Sequence, residues 1–156
     1  MTDRRPLLWL LAPLTLAAIY LVAPWPGPQA LLHVALVLGL APAFRSPLTA
    51  VLWACAAGWT FEAALHLYPR LGGTPLADMT LALLAWWLRA QWPPEGRTAF
   101  ALRLGVLAVL HLLLVHLLVR LTAGAHAWGW SAAWTLAGVP LWAALAWPFQ
   151  RIPLRR

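Results

Sequence analysis

The chain has 156 residues, of which 63% are hydrophobic and only 10% are charged. A soluble domain carries roughly a quarter charged residues, so this composition excludes an ordinary soluble fold and favours an integral membrane protein. The formal net charge of +7 comes from arginine alone, and the arginines stand singly between apolar runs. They form no basic stripe among polar residues, so we expect no nucleic-acid partner. Cys55 is the single cysteine, which excludes an internal disulfide.

Apolar runs separated by turn signals predict an all-α protein with six transmembrane helices, in one domain over residues 1–156. The predicted spans are residues 7–22, 29–43, 47–68, 75–92, 99–121 and 130–149. Ser46-Pro47 and Thr74-Pro75 predict the starts of the third and fourth spans, because a hydroxyl side chain followed by proline is typical of a helix N-terminus. The second span is short for a crossing, which needs roughly 20 residues, and a re-entrant segment is its alternative.

The distribution of arginine predicts that both termini are cytoplasmic. Arg4 and Arg5 precede the first apolar run as in a secretory signal, but no small-x-small cleavage site follows Val22, so we interpret this run as a retained span. With six spans, every arginine except Arg70 and Arg120 lies on the cytoplasmic side, as the positive-inside rule requires. The sequence therefore predicts a multi-pass membrane protein with both termini in the cytoplasm.

A stripe of small residues leads to a carboxylate in the third span. Ala50, Ala54, Gly58, Glu62 and His66 follow one another at intervals of four, which on a helix places them on one slowly drifting face. Small residues let a neighbouring backbone approach closely inside lipid. A carboxylate on the same face is costly at membrane depth unless it is paired or protonated, so we predict that Glu62 points into the bundle.

The predicted topology gathers polar residues in the outer half of the membrane. Arg120 or Arg70 is the expected partner of Glu62, whereas Asp78 in the first turn of the fourth span is explained by the helix dipole alone. His111 and His33 are expected to be satisfied core residues, and His111 to matter less than Glu62. We predict a polar cluster with a partner-binding or structural role, formed by Gly58, Glu62, His66, Arg70, Asp78, His116 and Arg120.

Two chemical functions are alternatives to that structural role. Glu62 and His66, at i and i+4, could bind a metal ion together with Asp78 and His116, but no recognised metal motif is present, and we predict no metal and no cofactor. The two serines, Ser46 and Ser131, both look like helix starts and supply no nucleophile. The sequence therefore predicts a protein that is not an enzyme.

The third and fourth spans carry a resemblance to a known family. The run from Gly58 to Glu62 (GWTFE) and the turn from Gly73 to Leu76 (GTPL), followed by an apolar run over residues 80–88, resemble the rod shape-determining MreD family. The length and the span order extend the resemblance over nearly the whole chain. Glu62 stands where the family more often has aspartate, and the link to the proline is longer here.

The resemblance implies a non-enzymatic scaffold in the bacterial cytoplasmic (inner) membrane, belonging to the machinery that elongates the cell wall. Its implied partner is MreC, a single-span membrane protein, and through MreC the MreB filaments and the peptidoglycan synthases. The family is similar in fold to the substrate-binding subunits of energy-coupling-factor transporters. A vitamin-type binding subunit of a transporter is therefore the alternative function, but the short apolar loops favour the scaffold.

Overall fold

The computed structural model describes residues 5–22, 37–44, 46–64, 72–93, 95–123, 137–141, 143–144 and 146–148. These residues form helices and turns and include no strand, so the predicted all-α class is confirmed for them. Four α-helices are complete enough to name: α1 (Arg5–Val22), α2 (Pro47–Ala64), α3 (Gly73–Gln91) and α4 (Arg97–Ala123). Within the described ranges, one helix is long and apolar enough to cross a membrane, over Arg97–Leu118 of α4.

The helices lie close to the predicted spans. α1, α3 and α4 each begin and end within two residues of the first, fourth and fifth spans, and α2 begins at the first residue of the third. The last residues of the third span, 65–68, lie outside the described part of the chain. The second span is represented by helical residues 37–40 and a 3₁₀ turn, Ala41–Ala43, and the sixth by helical residues between 137 and 148.

The start of α2 has the predicted cap. The Ser46 hydroxyl accepts the Thr49 backbone N–H at 3.2 Å, and the Thr49 hydroxyl accepts the Ser46 backbone N–H at 3.3 Å. This reciprocal pair satisfies two backbone donors that the first helical turn would leave free. Pro47 takes the first helical position, where its missing N–H costs nothing.

The predicted cap of α3 is wrong. The helix begins at Gly73, and its N-cap is Gly72, whose φ of 109° lies in the left-handed region that favours glycine. Thr74 and Pro75 are therefore already inside the first turn, and Gly72 has no side chain with which to cap the helix. Another residue must satisfy the amides of that turn.

Helix α3 lies at the centre of the described structure. It packs most extensively on α2, and also on α4 and on the 3₁₀ turn, while α1 packs on α2. Two apolar clusters meet along it: Leu81 and Ala85 face α4 and the C-terminal helical residues, and Ala82 faces α1, α2 and the 3₁₀ turn. The position of α3 thus decides how both halves of the core assemble.

The C-terminal end of α3 is held to the 3₁₀ turn by polar contacts. Arg89, only 6% exposed, donates from Nη1 to the Pro42 carbonyl, and Trp86 donates from Nε1 to the Phe44 carbonyl at 3.2 Å. These two carbonyls lie at the end of a short helical turn, where intrahelical donors run out. Arg89 therefore has a structural role that the sequence did not indicate.

The small-residue stripe of α2 is a packing face, as predicted. Ala50, Ala54 and Gly58 are buried, together with Glu62, whereas His66 lies outside the described residues. A Cβ placed on Gly58 would lie 2.6 Å from the Cα and 2.7 Å from the N of Pro75. These distances are too short for any side chain, so the backbones of α2 and α3 touch at this point.

Replacing Gly58 with alanine is expected to destabilise the protein by about 1–3 kcal/mol, because the added methyl group collides with rigid backbone. Leucine at this position is expected to disrupt the helix pair further. Thermal unfolding of the detergent-solubilised protein, followed by tryptophan fluorescence, measures the change.

The matched control is Gly105→Ala in α4, where, among the described residues, a Cβ would meet Val139 Cγ1 alone, at 3.8 Å, an ordinary contact. That variant is expected to gain roughly 0.5–1 kcal/mol, since alanine favours a helix over glycine. Equal effects of the two substitutions would show that Gly58 is not a close contact.

Candidate functional site

The site is built around the carboxylate of Glu62, which is 1% exposed near the end of α2. Its Oε2 accepts the backbone N–H of Gly72 at 2.6 Å, and its Oε1 accepts that of Thr74 at 2.7 Å. Both amides belong to the N-terminus of α3, where backbone N–H groups have no partner inside the helix and the dipole favours negative charge. Glu62 therefore supplies the cap that Gly72 cannot.

Of the two expected arginine partners of Glu62, Arg120 is exposed on α4, and Arg70 lies outside the described residues. Among the described residues, the two carboxylate oxygens accept backbone N–H groups. The burial of Glu62 was expected from its place on the stripe, whereas its contacts with these amides were not predicted.

Asp78 and His111 form a second polar contact, between α3 and α4. His111 Nε2 lies 2.8 Å from Asp78 Oδ1, and the side chains are 5% and 0% exposed, respectively. No acidic residue lies in the first turn of α3, so the helix dipole is not the explanation of Asp78 that the sequence favoured. A hydrogen bond to a buried carboxylate is stronger than one between neutral groups and joins the two helices in a fixed register.

The two polar contacts are parts of one arrangement. A Cβ on Gly58 would lie 2.9 Å from Asp78 Oδ2, so the carboxylate of α3 lies directly against the glycine of α2. Glu62 lies one helical turn further along α2 and binds the start of α3. We call this arrangement the α2–α3 junction, formed by Gly58, Glu62, Thr74, Pro75 and Asp78.

The remaining residues of the predicted polar cluster do not all lie at the junction. His116 is half-buried on α4, one turn and a residue beyond His111, and Arg120 is exposed near the end of the same helix. His66 and Arg70 lie outside the described residues. Among the described members, Gly58, Glu62 and Asp78 are brought together by the fold.

The alternative metal site receives no support from this geometry. The carboxylate of Glu62 is engaged by amides, and Asp78 is engaged by His111. Among the residues whose placement is described, no three potential histidine, cysteine, aspartate or glutamate ligands come together around one point. The arrangement instead links three helices through hydrogen bonds.

His111 is a buried, hydrogen-bonded core residue, as expected from the sequence, but its partner was not predicted. It is 4% exposed and shares its face of α4 with buried Leu104, Leu107 and Ala108. These intervals of three and four residues mark one core-facing side of the helix. The identity of its partner, however, depends on how α3 and α4 pack.

The chain was compared with family models, with curated proteins and with solved structures, and none of the three comparisons gives a match.

Replacing Glu62 with glutamine is expected to lower the free energy of unfolding by about 1–3 kcal/mol. The amide has nearly the same shape, but its NH₂ group would face a backbone N–H and leave that donor unsatisfied. Thermal unfolding in detergent checks the loss, with exposed Glu95→Gln as the control that should leave stability unchanged. An unaltered midpoint for Glu62→Gln would mean that the carboxylate does not cap α3.

The Asp78–His111 contact predicts a coupling free energy between the two positions. In a double-mutant cycle of Asp78→Asn and His111→Gln, unfolding free energies are expected to deviate from additivity by about 0.5–3 kcal/mol. A parallel cycle of Asp78→Asn and Glu95→Gln should be additive, because Glu95 is exposed in the loop before α4. Additivity in both cycles would contradict the contact.

Proposed function

We propose that this chain is a non-enzymatic membrane scaffold that acts by binding another membrane protein. The observation that carries the proposal is the placement of polar and apolar groups. Glu62, Asp78, Arg89 and His111 are buried and bind backbone groups or each other, while large apolar side chains cover the outside of the helices. Polar groups used in this way stabilise a rigid body whose available surface is apolar.

The outer faces of three helices are apolar along their length. The most exposed large hydrophobic side chains include Leu48 and Leu52 on α2, Leu76 and Leu83 on α3, and Leu102, Val106, Leu113 and Leu117 on α4. Glu62, Asp78 and Arg89 are meanwhile buried. A protein surrounded by water has the opposite arrangement, because apolar burial drives folding there. A surrounding of lipid accounts for both observations.

This distribution supports the six-span arrangement as part of the proposal. α2 and α3 carry buried charges that lower their overall hydropathy, yet their outward faces are as apolar as that of α4. Both termini are then cytoplasmic, with the α2–α3 junction in the outer half of the cytoplasmic membrane. The arginines follow the positive-inside rule in this orientation.

The proposed biological role is that of an MreD-type component of cell-wall elongation. The two stretches that carry the resemblance, GWTFE and GTPL, pack on each other through Gly58 and Pro75 and through Glu62 and Thr74. They therefore act as one structural element. The proposed partner is MreC, and through MreC the scaffold connects MreB filaments with peptidoglycan synthases.

The proposed contact for the partner's span is the outer face of the α2–α3 pair. Trp59 on α2 and Trp87 on α3 are each 45% exposed, although both are large apolar side chains. Tryptophan buries a large area at little conformational cost and is enriched among the residues that dominate binding energy. Leu52 and Leu83 extend the same helices' apolar surface beside them.

Alanine at Trp59 or Trp87 is expected to reduce recovery of MreC when both proteins are co-expressed and the scaffold is affinity-purified in mild detergent. We expect the affinity for MreC to fall at least about tenfold. This corresponds to 1.4 kcal/mol, which is typical of a residue that contributes strongly to an interface. Unfolding midpoints of the variants should remain near that of the unmodified chain, since both side chains are half-exposed.

Leu113→Ala is the control, because Leu113 is exposed to a similar degree on α4. Gly58→Leu and Glu62→Ala should also weaken recovery, but together with a loss of stability. Full recovery of MreC by the Trp59→Ala and Trp87→Ala variants would contradict the proposed contact. Failure of the unmodified chain to recover MreC, with a vitamin or other small molecule co-purifying in stoichiometric amount, would favour the transporter subunit.

A further inference from the structure

A pair of tryptophans lies on the outside of the hairpin that joins α3 to α4, away from the α2–α3 junction. Trp92, the residue directly after α3, is 60% exposed, and Trp87 near the end of the helix is 45% exposed. Their rings meet edge to face, with centroids 5.5 Å apart and planes at 84°. The two side chains therefore form one continuous aromatic surface.

The backbone of Trp92 is fixed to both helices of the hairpin. Its N–H donates to the Leu88 carbonyl of α3 at 2.8 Å. Its carbonyl accepts a hydrogen bond from Nη2 of Arg103, on the second turn of α4. Whatever surrounds the exposed indole of Trp92 therefore acts on the position of the whole hairpin.

The outward surface of α4 changes from charged to apolar within its first turns. Arg97 is exposed at the start of the helix, and from Leu102 to Leu117 every exposed residue is leucine or valine. The next residue described as exposed is Arg120. At 1.5 Å per residue, Arg97 and Arg120 are about 35 Å apart along the helix, which is close to the roughly 30 Å thickness of a hydrocarbon core.

The surface of α3 changes in the same way at Trp92. Leu83 and Trp87 are exposed on the helix before it, and Glu95 is exposed in the loop after it. The guanidinium of Arg103 reaches the Trp92 carbonyl, so Trp92 lies within one side chain's length of the place where the surface of α4 becomes apolar. An indole suits this level, because its ring packs against acyl chains while its N–H can bind headgroups or water.

We propose that Trp92, with Trp87 against it, anchors the α3–α4 hairpin in the interfacial region of the cytoplasmic leaflet. We call these two residues the hairpin anchor. Exposed Arg97 and partly exposed Arg103 outnumber Glu95 near the loop, and this net positive charge is attracted to an anionic leaflet. Interfacial aromatic side chains set the depth and tilt of membrane helices, so the anchor holds the scaffold at one depth in the bilayer.

The level of the two rings favours a lipid interface over a cytoplasmic protein as the partner. In the proposed orientation, a cytoplasmic protein would meet exposed Glu95 and Arg97 first, whereas the rings lie where the apolar surface of the helices ends. The proposal rests on the membrane placement proposed above and needs no protein partner. Trp92 is also outside the contact proposed for MreC, so substitutions of Trp92 separate the two proposals.

The first test locates Trp92 in the full-length chain, labelled with fluorotryptophan and reconstituted in vesicles of phosphatidylcholine and phosphatidylglycerol. The fluorine NMR resonances are assigned by their loss in Trp92→Phe, Trp59→Phe and Trp53→Phe. A nitroxide on the lipid headgroup is expected to broaden the Trp92 resonance more than a nitroxide at the end of the acyl chain. Trp59, 45% exposed and about 18 Å along α2, should show the reverse order, and Trp53, 6% exposed, should respond weakly to both.

Equal or stronger broadening of Trp92 by the chain-end nitroxide, or no response to either lipid, would overturn the hairpin anchor. If Trp59 responds as expected in that case, the membrane placement stands and only the anchor fails. A Trp59 resonance that neither lipid broadens would contradict the membrane placement, and the anchor with it. Because no MreC is present, these results are distinct from a failure of the chain to recover MreC.

The second test measures whether Trp92 holds the hairpin at its depth. A spin label is attached to Ala99→Cys, at an exposed position in the first turn of α4, in a Cys55→Ser background that removes the single native cysteine. Trp92→Ala is expected to shift the label toward water, because the charged residues of the loop are then no longer opposed by the indole. The shift is measured as more contact with a water-soluble nickel complex and less contact with dissolved oxygen.

Trp92→Phe, which keeps a ring but loses the N–H, should shift the label less than Trp92→Ala. Trp59→Ala is the matched control, because it removes an exposed tryptophan from α2 and should leave the depth of the label unchanged. An unchanged depth in Trp92→Ala, or an equal shift in Trp59→Ala, would show that Trp92 does not anchor the hairpin.

Discussion

The carboxylate of Glu62 on the first amides of α3 is the interaction on which the rest of this structure depends. Gly72 gives the chain the left-handed turn that starts the helix, but it has no side chain to satisfy the N–H groups beyond it. Thr74 is buried, so its N–H has no water to bind, and an unsatisfied helix start would cost several kilocalories per mole. Glu62 reaches them from α2 and thereby fixes both the start of α3 and its distance from α2.

The position of α3 is then determined along its whole length. Near its start, Pro75 and Asp78 pack on Gly58 with no room for a side chain. At its other end, Trp86 and Arg89 donate to the carbonyls of the turn before α2. Between these two ends the contacts are apolar, with small residues such as Ala82 and Ala85 buried completely. Polar contacts thus fix the register of the helix, and close packing of small side chains fills the space between its ends.

The same arrangement explains why so apolar a chain keeps a few charged residues. In the lipid surroundings proposed for this chain, apolar side chains gain little by leaving the lipid, so packing and hydrogen bonds must specify which helix faces lie together. The Asp78–His111 contact specifies one such pair of faces, α3 on α4, and Glu62 specifies another, α2 on α3. Such a body suits the proposed scaffold, because it presents its outer surface to a partner in one fixed shape.

The sequence by itself determined the all-α class of the described residues and most of the positions at which their helices begin and end. The apolar composition and the lengths of the apolar runs predict helices, and the described segments are helical. A helix satisfies the backbone hydrogen bonds within one segment, so the signal does not depend on distant parts of the chain. Local signals also succeeded where the partners are close in sequence, as in the Ser46–Thr49 cap. The four-residue stripe likewise identified the packing face of α2, since helical periodicity is a property of the chain alone.

Only the tertiary structure decided what the buried charges bind. Thr74-Pro75 imitates a helix start, but the cap of α3 comes from Glu62, ten residues before Gly72 and on another helix. Asp78 looked like a residue of the first turn, but its partner His111 lies 33 residues away. Nothing in the sequence indicated what Arg89 binds, because its acceptor is the backbone carbonyl of Pro42, a group that every residue possesses. Contacts of this kind depend on which helices become neighbours, and no local pattern in a single sequence specifies that.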